Sequence, residues 1–189
     1  MKKITLIAAG LVLSVSAFAQ TWTLDKVHSR IGFSVLHMGI SEFQGSFKGA
    51  DATITASKPD FSDATVEFKA DVNNINTDNE MRDKHLKSPD FFDAEKYSTL
   101  SFKSTSFKKT GDKTFEVKGD RTFHGVTKPV TLTAVLVGTA TNPQSKKEMA
   151  GFKVTGSFKR ADFGFAPGMP AGALGEDINL IANTEFVKG

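Results

Sequence analysis

The stretch Ala64-Thr65-Val66-Glu67-Phe68-Lys69-Ala70-Asp71-Val72 alternates apolar and polar residues without interruption. Successive side chains of a β-strand point to opposite faces, so this alternation predicts a strand with one buried and one solvent-facing side. Its larger apolar residues, Val66, Phe68 and Val72, are of the β-branched and aromatic types that suit a pleated surface. A strand of this kind is typical of antiparallel sheets.

The same period of two recurs along most of the chain. It is visible at 31–36 and at 43–49, and the phase then shifts before 52–56. A phase shift within one strand indicates a bulge or a bend, and Gly49 is the natural position for it. Further strands are predicted at 100–107, 114–121, 130–141, 150–162 and 177–187. Turn residues such as Lys58-Pro59-Asp60 separate the strands, which favours an antiparallel sandwich or barrel.

The segment 73–97 interrupts this pattern. Thr77-Asp78-Asn79-Glu80 has the form of a capping box, in which the Thr77 hydroxyl accepts a hydrogen bond from the Glu80 N–H. It predicts a helix over 78–87 that stops at Ser88-Pro89. We therefore expect a short helical excursion over one end of the sheet, forming a lid or a mouth.

Long strands such as 130–141 would be hazardous with unpaired edges, and closure into a barrel removes those edges. Pro129 fits this scheme at the start of a strand, where a missing N–H is tolerated. The predicted fold is therefore all-β, an antiparallel β-barrel of about eight strands. Such a barrel has an interior that side chains fill or that holds one slender ligand.

The 17 phenylalanines leave both of these alternatives open. Ordinary core packing explains most of them, because Phe rings bury well and alternate suitably in strands. Small residues, however, recur on the same faces, and on an inward face they leave volume that a solid core would need filled. These residues are Gly45, Gly49, Ala64, Ala70, Gly119, Ala134, Gly138, Ala150 and Gly156.

The N-terminus predicts export. Met1-Lys2-Lys3 is followed by a mostly apolar run over 4–16 and by Ala17-Phe18-Ala19, the pattern of a cleaved signal peptide. The run is short for a bilayer span, which needs about 20 residues. No Cys follows it, so a lipoprotein anchor is excluded. We expect a signal peptide at 1–19, a barrel domain at 20–189 and no membrane span after cleavage.

Composition excludes several classes of function. A chain without Cys holds no disulfide, Cys-ligated zinc, iron–sulfur cluster or thiol nucleophile. Without Lys2 and Lys3, 22 basic residues face 21 acidic ones, so the formal charge falls from +3 to +1. This balance gives no reason to expect nucleic acid. The four histidines lack metal-ligand spacing, and neither a metal nor a cofactor is predicted.

Arg82 and His85 form the strongest polar cluster, because their spacing places them on one face of the predicted helix. In one interpretation Arg82 pairs with a carboxylate and His85 bonds a carbonyl. In the other, both contact an anionic head group at the mouth. An acid–base role for His85 with Asp83 or Asp162 lacks an evident nucleophile or oxyanion hole, so no catalytic residue is predicted.

The Gly- and Pro-rich segment 164–175 lacks the pattern of a phosphate-binding loop and does not open a helix. It is predicted to be a mobile loop.

Several motifs together resemble the YceI-like family, over essentially the whole chain after the leader. They are Trp22-Thr23-Leu24-Asp25, His28-Ser29-x-Ile31-x-Phe33-x-Val35-x-His37, Phe43-x-Gly45-x-Phe47, Arg82-Asp83-x-His85-Leu86-x-Ser88-x-Asp90-Phe91-Phe92-Asp93, Gly125-Val126-Thr127-Lys128-Pro129-Val130 and Arg160-x-Asp162-Phe163-Gly164. The resemblance implies a lipocalin-like barrel, export to the periplasm, and an elongated apolar cavity for a polyisoprenoid or similar amphiphile. It also makes a homodimer plausible.

The first functional hypothesis is therefore periplasmic binding of a long-chain isoprenoid or fatty-acid-like lipid, without catalysis. Arg82, His85 and His37 are expected to contact its polar head. The residues expected to line the barrel are Phe33, Val35, Phe47, Phe68, Phe102, Val117, Phe152, Phe158 and Ile178. An alternative is an enzyme that modifies such a lipid with His85 as general acid/base. A third is an interaction module whose barrel is solid core.

Overall fold

The structure, a computed structural model, describes residues 18–189. All but the last two residues of the predicted leader therefore lie outside the described residues. Eleven strands dominate the fold. They are β1 (Gln20–Leu24), β2 (Arg30–His37), β3 (Ser41–Phe47), β4 (Asp51–Ala56), β5 (Thr65–Asp71), β6 (Ile75–Asn76), β7 (Thr99–Lys109), β8 (Thr114–Phe123), β9 (Val126–Thr141), β10 (Glu148–Lys159) and β11 (Leu174–Lys188).

Eight of these strands close into an antiparallel barrel. The order around it is β1-β4-β5-β7-β8-β9-β10-β11, and β11 pairs back with β1. The closing ladder is short, with Trp22 opposite Lys188 and Leu24 opposite Phe186. The predicted all-β barrel of about eight strands is thereby confirmed.

At three neighbouring positions in the sheet, two strands that are consecutive in the sequence follow each other with a bend between them. β1 and β2 both pair with β11, β3 and β4 pair with β2 and β1, and β6 and β5 pair with β3 and β4. β3 and β4 are separated at residues 48–50, where Gly49 takes a φ of +67°. That left-handed conformation suits glycine because it has no Cβ. The bend predicted at Gly49 is confirmed, as a turn rather than a bulge.

One α-helix, α1 (Glu80–Leu86), lies between β6 and β7. The helical excursion is confirmed, but the predicted capping box is wrong. Asn79 is the N-cap, and its side chain accepts from the Arg82 N–H at 3.0 Å. Thr77 lies too early for that role, and it instead donates its N–H and hydroxyl to Asp83 at 2.8 and 2.6 Å. Over residues 18–189, no helix has the length and apolar character needed to cross a membrane.

Pro129 lies inside β9, not at its start as predicted, because the strand begins at Val126. It stands opposite Asp120 of β8, whereas β10 pairs with β9 only from Thr133 onward. Pro129 therefore occupies a part of β9 with one free edge. A missing N–H is tolerated there, because no neighbouring strand on the free edge needs a hydrogen bond from it.

Two apolar clusters fill much of the barrel. The first includes Trp22, Phe61, Phe115 and Phe152, and the second includes Phe92, Phe123, Phe158 and Phe163. Rings meet edge to face, as aromatic quadrupoles favour. The ring centroids of Phe61 and Phe152 are 5.2 Å apart, as are those of Phe158 and Phe163.

Several inward glycines make room for a neighbouring side chain, not for a cavity. A Cβ at Gly45 would collide with the Phe33 ring, and one at Gly119 would lie 2.5 Å from Cζ of Phe102. The expectation that such residues leave volume unfilled is wrong at these positions, because close packing brings a ring across each of them.

Candidate ligand-binding cavity

An apolar cavity of about 210 Å³ lies inside the barrel and reaches residues of both clusters. For scale, an engineered cavity of roughly 150 Å³ lined by Leu, Ile and Phe stays dry and binds benzene. Its walls are almost entirely aliphatic and aromatic, and the polar side chains among them are Ser101, Arg121 and Thr184. A space with these walls is suited to an apolar ligand.

All nine residues predicted to line the barrel contribute to the walls of this cavity. They are Phe33, Val35, Phe47, Phe68, Phe102, Val117, Phe152, Phe158 and Ile178. The period of two explains the agreement, since alternate residues on β5 and β10, such as Lys69 and Lys153, are exposed outside. Contact of these nine residues with a ligand stays a prediction.

Residues from two connecting segments also enclose the cavity. Leu86 of α1 and Phe91 and Phe92 after it belong to the walls, as does Phe165 from the segment before β11. The Phe92 ring packs 4.8 Å from that of Phe165 and 5.6 Å from that of Phe123. The helical excursion therefore supplies part of the cavity wall.

Arg121 is the charged residue of the cavity. It follows Phe115, Val117 and Gly119 on the inward face of β8, and its guanidinium carbon lies 3.8 Å from the centroid of the Phe158 ring and 5.4 Å from that of Phe123. Enclosure by the barrel lowers the pKa of Arg121 to about 9, because desolvation disfavours the charged form. The group is still protonated at neutral pH.

The sequence-based prediction missed Arg121, although a signal was present. The alternation that places Phe115, Val117 and Gly119 inside also places Arg121 and Phe123 inside. The predicted strand ended at Arg121, where a charged residue suits a strand end. In the structure β8 continues to Phe123, so Arg121 remains on the interior face.

Arg82, His85 and His37 lie outside the cavity walls, and all three are exposed. Arg82 donates from Nε to the Thr77 hydroxyl at 2.9 Å and from its terminal nitrogen to the Thr77 carbonyl at 2.6 Å. Its guanidinium also lies 4.5 Å from the Phe43 ring centroid. The structure does not bring these three residues together with the nine wall residues. Their role at a head group stays a prediction.

His85 is not positioned with a carboxylate for acid–base chemistry. Its ring packs edge to face on Phe91, with centroids 4.9 Å apart. The carboxylate of Asp83 is engaged by Thr77, and that of Asp162 lies 3.9 Å from Lys128 Nζ. Neither of the partners considered for His85 is bonded to it in residues 18–189.

Arg160 anchors the Gly- and Pro-rich segment predicted to be mobile. The residue is 3% exposed and donates to the carbonyls of Ala166 and Met169, both at 2.6 Å. It also forms an ion pair with Glu176 at 2.7 Å. The segment is thus fastened to the barrel by a buried guanidinium. Mobility of the segment stays a prediction, and its own sequence gives no sign of these bonds because Arg160 precedes it.

Asp25, His28 and Glu185 gather at the surface, with potential ligand atoms within 4.8 Å of one another. His28 Nδ1 lies 2.8 Å from the Asp25 carboxylate. This hydrogen bond raises the pKa of His28 and lowers that of Asp25, since it favours the charged form of each. The pair fastens the loop between β1 and β2.

Comparison with known proteins agrees with this architecture. The model of the YceI-like domain matches residues 22–186. Protein YceI of Escherichia coli O157:H7 is 37% identical over 183 residues, which cover 95% of this chain and 94% of that protein.

Solved structures show the same fold. The YceI protein of Campylobacter jejuni has a TM-score of 0.74 at 28% identity, over 99% of this chain and 98% of the other. A polyisoprenoid binding domain from Saccharophagus degradans has a TM-score of 0.65 over 89% of this chain and 98% of that one. At 13% identity, the latter likeness concerns the fold alone.

Proposed function

The chain belongs to the YceI-like domain family, and from this premise we propose that it binds a long-chain isoprenoid or similar amphiphilic lipid inside its barrel. We further propose that this takes place in the periplasm, after cleavage of the leader at 1–19. Binding, not catalysis, is proposed, because the groups considered for acid–base chemistry are engaged elsewhere. A homodimer stays a prediction.

The observation that carries the proposal is the apolar cavity that reaches both core clusters. Each methylene moved from water into such a space contributes about 0.8 kcal/mol. The longer the apolar chain that the cavity encloses, the larger is the part of the binding free energy that needs no polar contact. The polyisoprenoid binding of the Saccharophagus degradans domain, which shares the fold, supports the same class of ligand.

The first experiment is mass spectrometry of an organic extract of the purified protein. We expect an amphiphile with a long apolar chain, present in near-stoichiometric amount. Repeated preparations without any bound lipid, and with no binding of added lipid, would contradict the proposal.

A matched pair of substitutions tests the location of the ligand. Val154 is a wall residue, whereas Val137 on β9 is 67% exposed. Val154→Phe should fill part of the cavity and weaken lipid binding at least tenfold, and Val137→Phe should leave binding unchanged. Equal affinities of the two variants, measured by titration of the delipidated proteins, would place the ligand elsewhere.

A further inference from the structure

Arg121 is half-buried on the inward face of the barrel, and no carboxylate of residues 18–189 neutralises it. Within residues 18–189, no carboxylate oxygen lies within 4.0 Å of its guanidinium nitrogens, and its side chain makes no hydrogen bond to the protein. Its neighbours are rings, with Phe163 joining Phe158 and Phe123 within 6.0 Å. Cation–π attraction compensates part of the lost hydration but satisfies none of the five N–H donors.

Arg160, a buried arginine with a structural role in the same fold, gives a comparison for the partners of Arg121. That group is bonded by backbone carbonyls, including those of Ala166 and Met169, and by the carboxylate of Glu176. A buried charge is costly unless it is paired and hydrogen-bonded. Arg121 lacks such partners, and its side chain is one of those that line the cavity.

We propose that the barrel accepts amphiphiles with a singly charged acidic head, a carboxylate, and that Arg121 binds this head inside the cavity. The inference rests on the proposed function and specifies its ligand. A carboxylate matches the planar fork of a guanidinium with two parallel hydrogen bonds. The apolar chain then lies along the aromatic walls.

The charge of the cavity selects this head group over two others. Arg121 is the charged residue among the described walls, so it neutralises one negative charge. A diphosphate carries more negative charge than that and would leave an excess in an apolar chamber. An alcohol brings no charge and leaves most donors of the guanidinium unpaired.

The test compares hexadecanoic acid, hexadecanol and hexadecyl diphosphate in titrations of the delipidated protein. The acid should bind about tenfold to a hundredfold more tightly than the alcohol, as expected for hydrogen bonds to a charged group, and more tightly than the diphosphate. Arg121→Met should abolish the preference for the acid while the alcohol still binds. Arg121→Lys, which keeps the charge but not the fork, should retain part of it.

Arg30→Met is the matched control, because Arg30 is exposed on β2 and lies outside the cavity walls, and it should leave the preference for the acid unchanged. Arg82→Met tests the competing head-group contact that the sequence predicts. The inference is overturned if the wild-type protein binds acid and alcohol equally, if it prefers the diphosphate, or if Arg82→Met and not Arg121→Met removes the preference. If neither the acid nor the alcohol binds, the proposed lipid binding itself is contradicted. This outcome differs from equal binding of the acid and the alcohol, which contradicts only the role of Arg121.

A second readout does not depend on the folding of a variant. In the wild-type protein, the NMR signal of the Arg121 side-chain N–H should shift on addition of hexadecanoate and remain in place on addition of hexadecanol. An unmoved signal with saturating acid would overturn the assignment.

Discussion

At the scale of single residues, chemistry depends on the partner that the fold supplies. Arg160 is buried and Arg121 is half-buried, but Arg160 donates to protein acceptors, whereas Arg121 packs on aromatic rings. The first arrangement fixes a loop, and the second leaves a cation facing a ligand-sized space. Sequence alone distinguishes them poorly, because the acceptors of Arg160 are backbone carbonyls that any residue carries.

The pair of His28 and Asp25 predicts a measurable titration. Because the hydrogen bond raises the pKa of His28 above its ordinary 6.5, the pair stabilises the fold below that pH and loses its contribution as pH rises through the raised value. The lowered pKa of Asp25 sets the acid limit, since its contribution is lost on its protonation. By NMR titration, Asp25→Asn should bring the pKa of His28 down, whereas Asp51→Asn should not. An unchanged pKa in Asp25→Asn would refute the coupling.

Gly119 predicts a packing defect. A Cβ there would meet the Phe102 ring and the carbonyl of Lys103, so Gly119→Ala should destabilise the protein by about 1–3 kcal/mol. Gly138→Ala is the control, because no atom of another residue outside its own neighbours lies within 4 Å of that position. Urea denaturation compares the two, and equal free energies of unfolding would show that Phe102 moves aside without cost.

At the scale of elements, the sequence predicts strands better than it predicts their connections. Alternation places Phe68 and Phe152 inside because a strand has two faces and only one is apolar. The start of α1 was misassigned because Thr77 and Asn79 are both good N-cap residues, and tertiary bonds from Thr77 to Asp83 decide between them. The sequence-based prediction also misses the interior position of Arg121, because a charged residue at a predicted strand end is ordinarily exposed, whereas β8 continues to Phe123.

The segment between the 3-10 turn Arg160–Phe163 and β11 depends on one side chain. Arg160→Met should leave Glu176 and several carbonyls without their donor and cost about 3–5 kcal/mol. Lys159→Met, which removes an exposed ion pair with Asp177, should cost less than about 1 kcal/mol. The free energies of unfolding in urea test both, and hydrogen exchange should accelerate at 164–175 only in Arg160→Met. An Arg160→Met variant as stable as Lys159→Met would mean that the bonds to Arg160 contribute little.

At the scale of the whole molecule, a bound lipid should stabilise the barrel. A ligand at about 100 times its Kd adds about 2.7 kcal/mol, which corresponds to a rise in Tm of roughly 5–10 °C for a domain of this size. Scanning calorimetry of the delipidated protein with added hexadecanoate should show this rise, and Val154→Phe should show much less. A Tm that does not change with saturating lipid would indicate that the barrel interior does not bind lipid.

The short ladder between β1 and β11 bears on when the barrel can form. Trp22, Thr23 and Leu24 pair with Lys188, Val187 and Phe186, which the ribosome adds after every other strand. Strands this distant along the chain pair slowly, because the entropy of closing the long loop is lost before the contacts between the strands contribute any stability. The barrel therefore cannot close until β11 has been synthesised. A lipid of the kind proposed would enter the closed cavity only after that step.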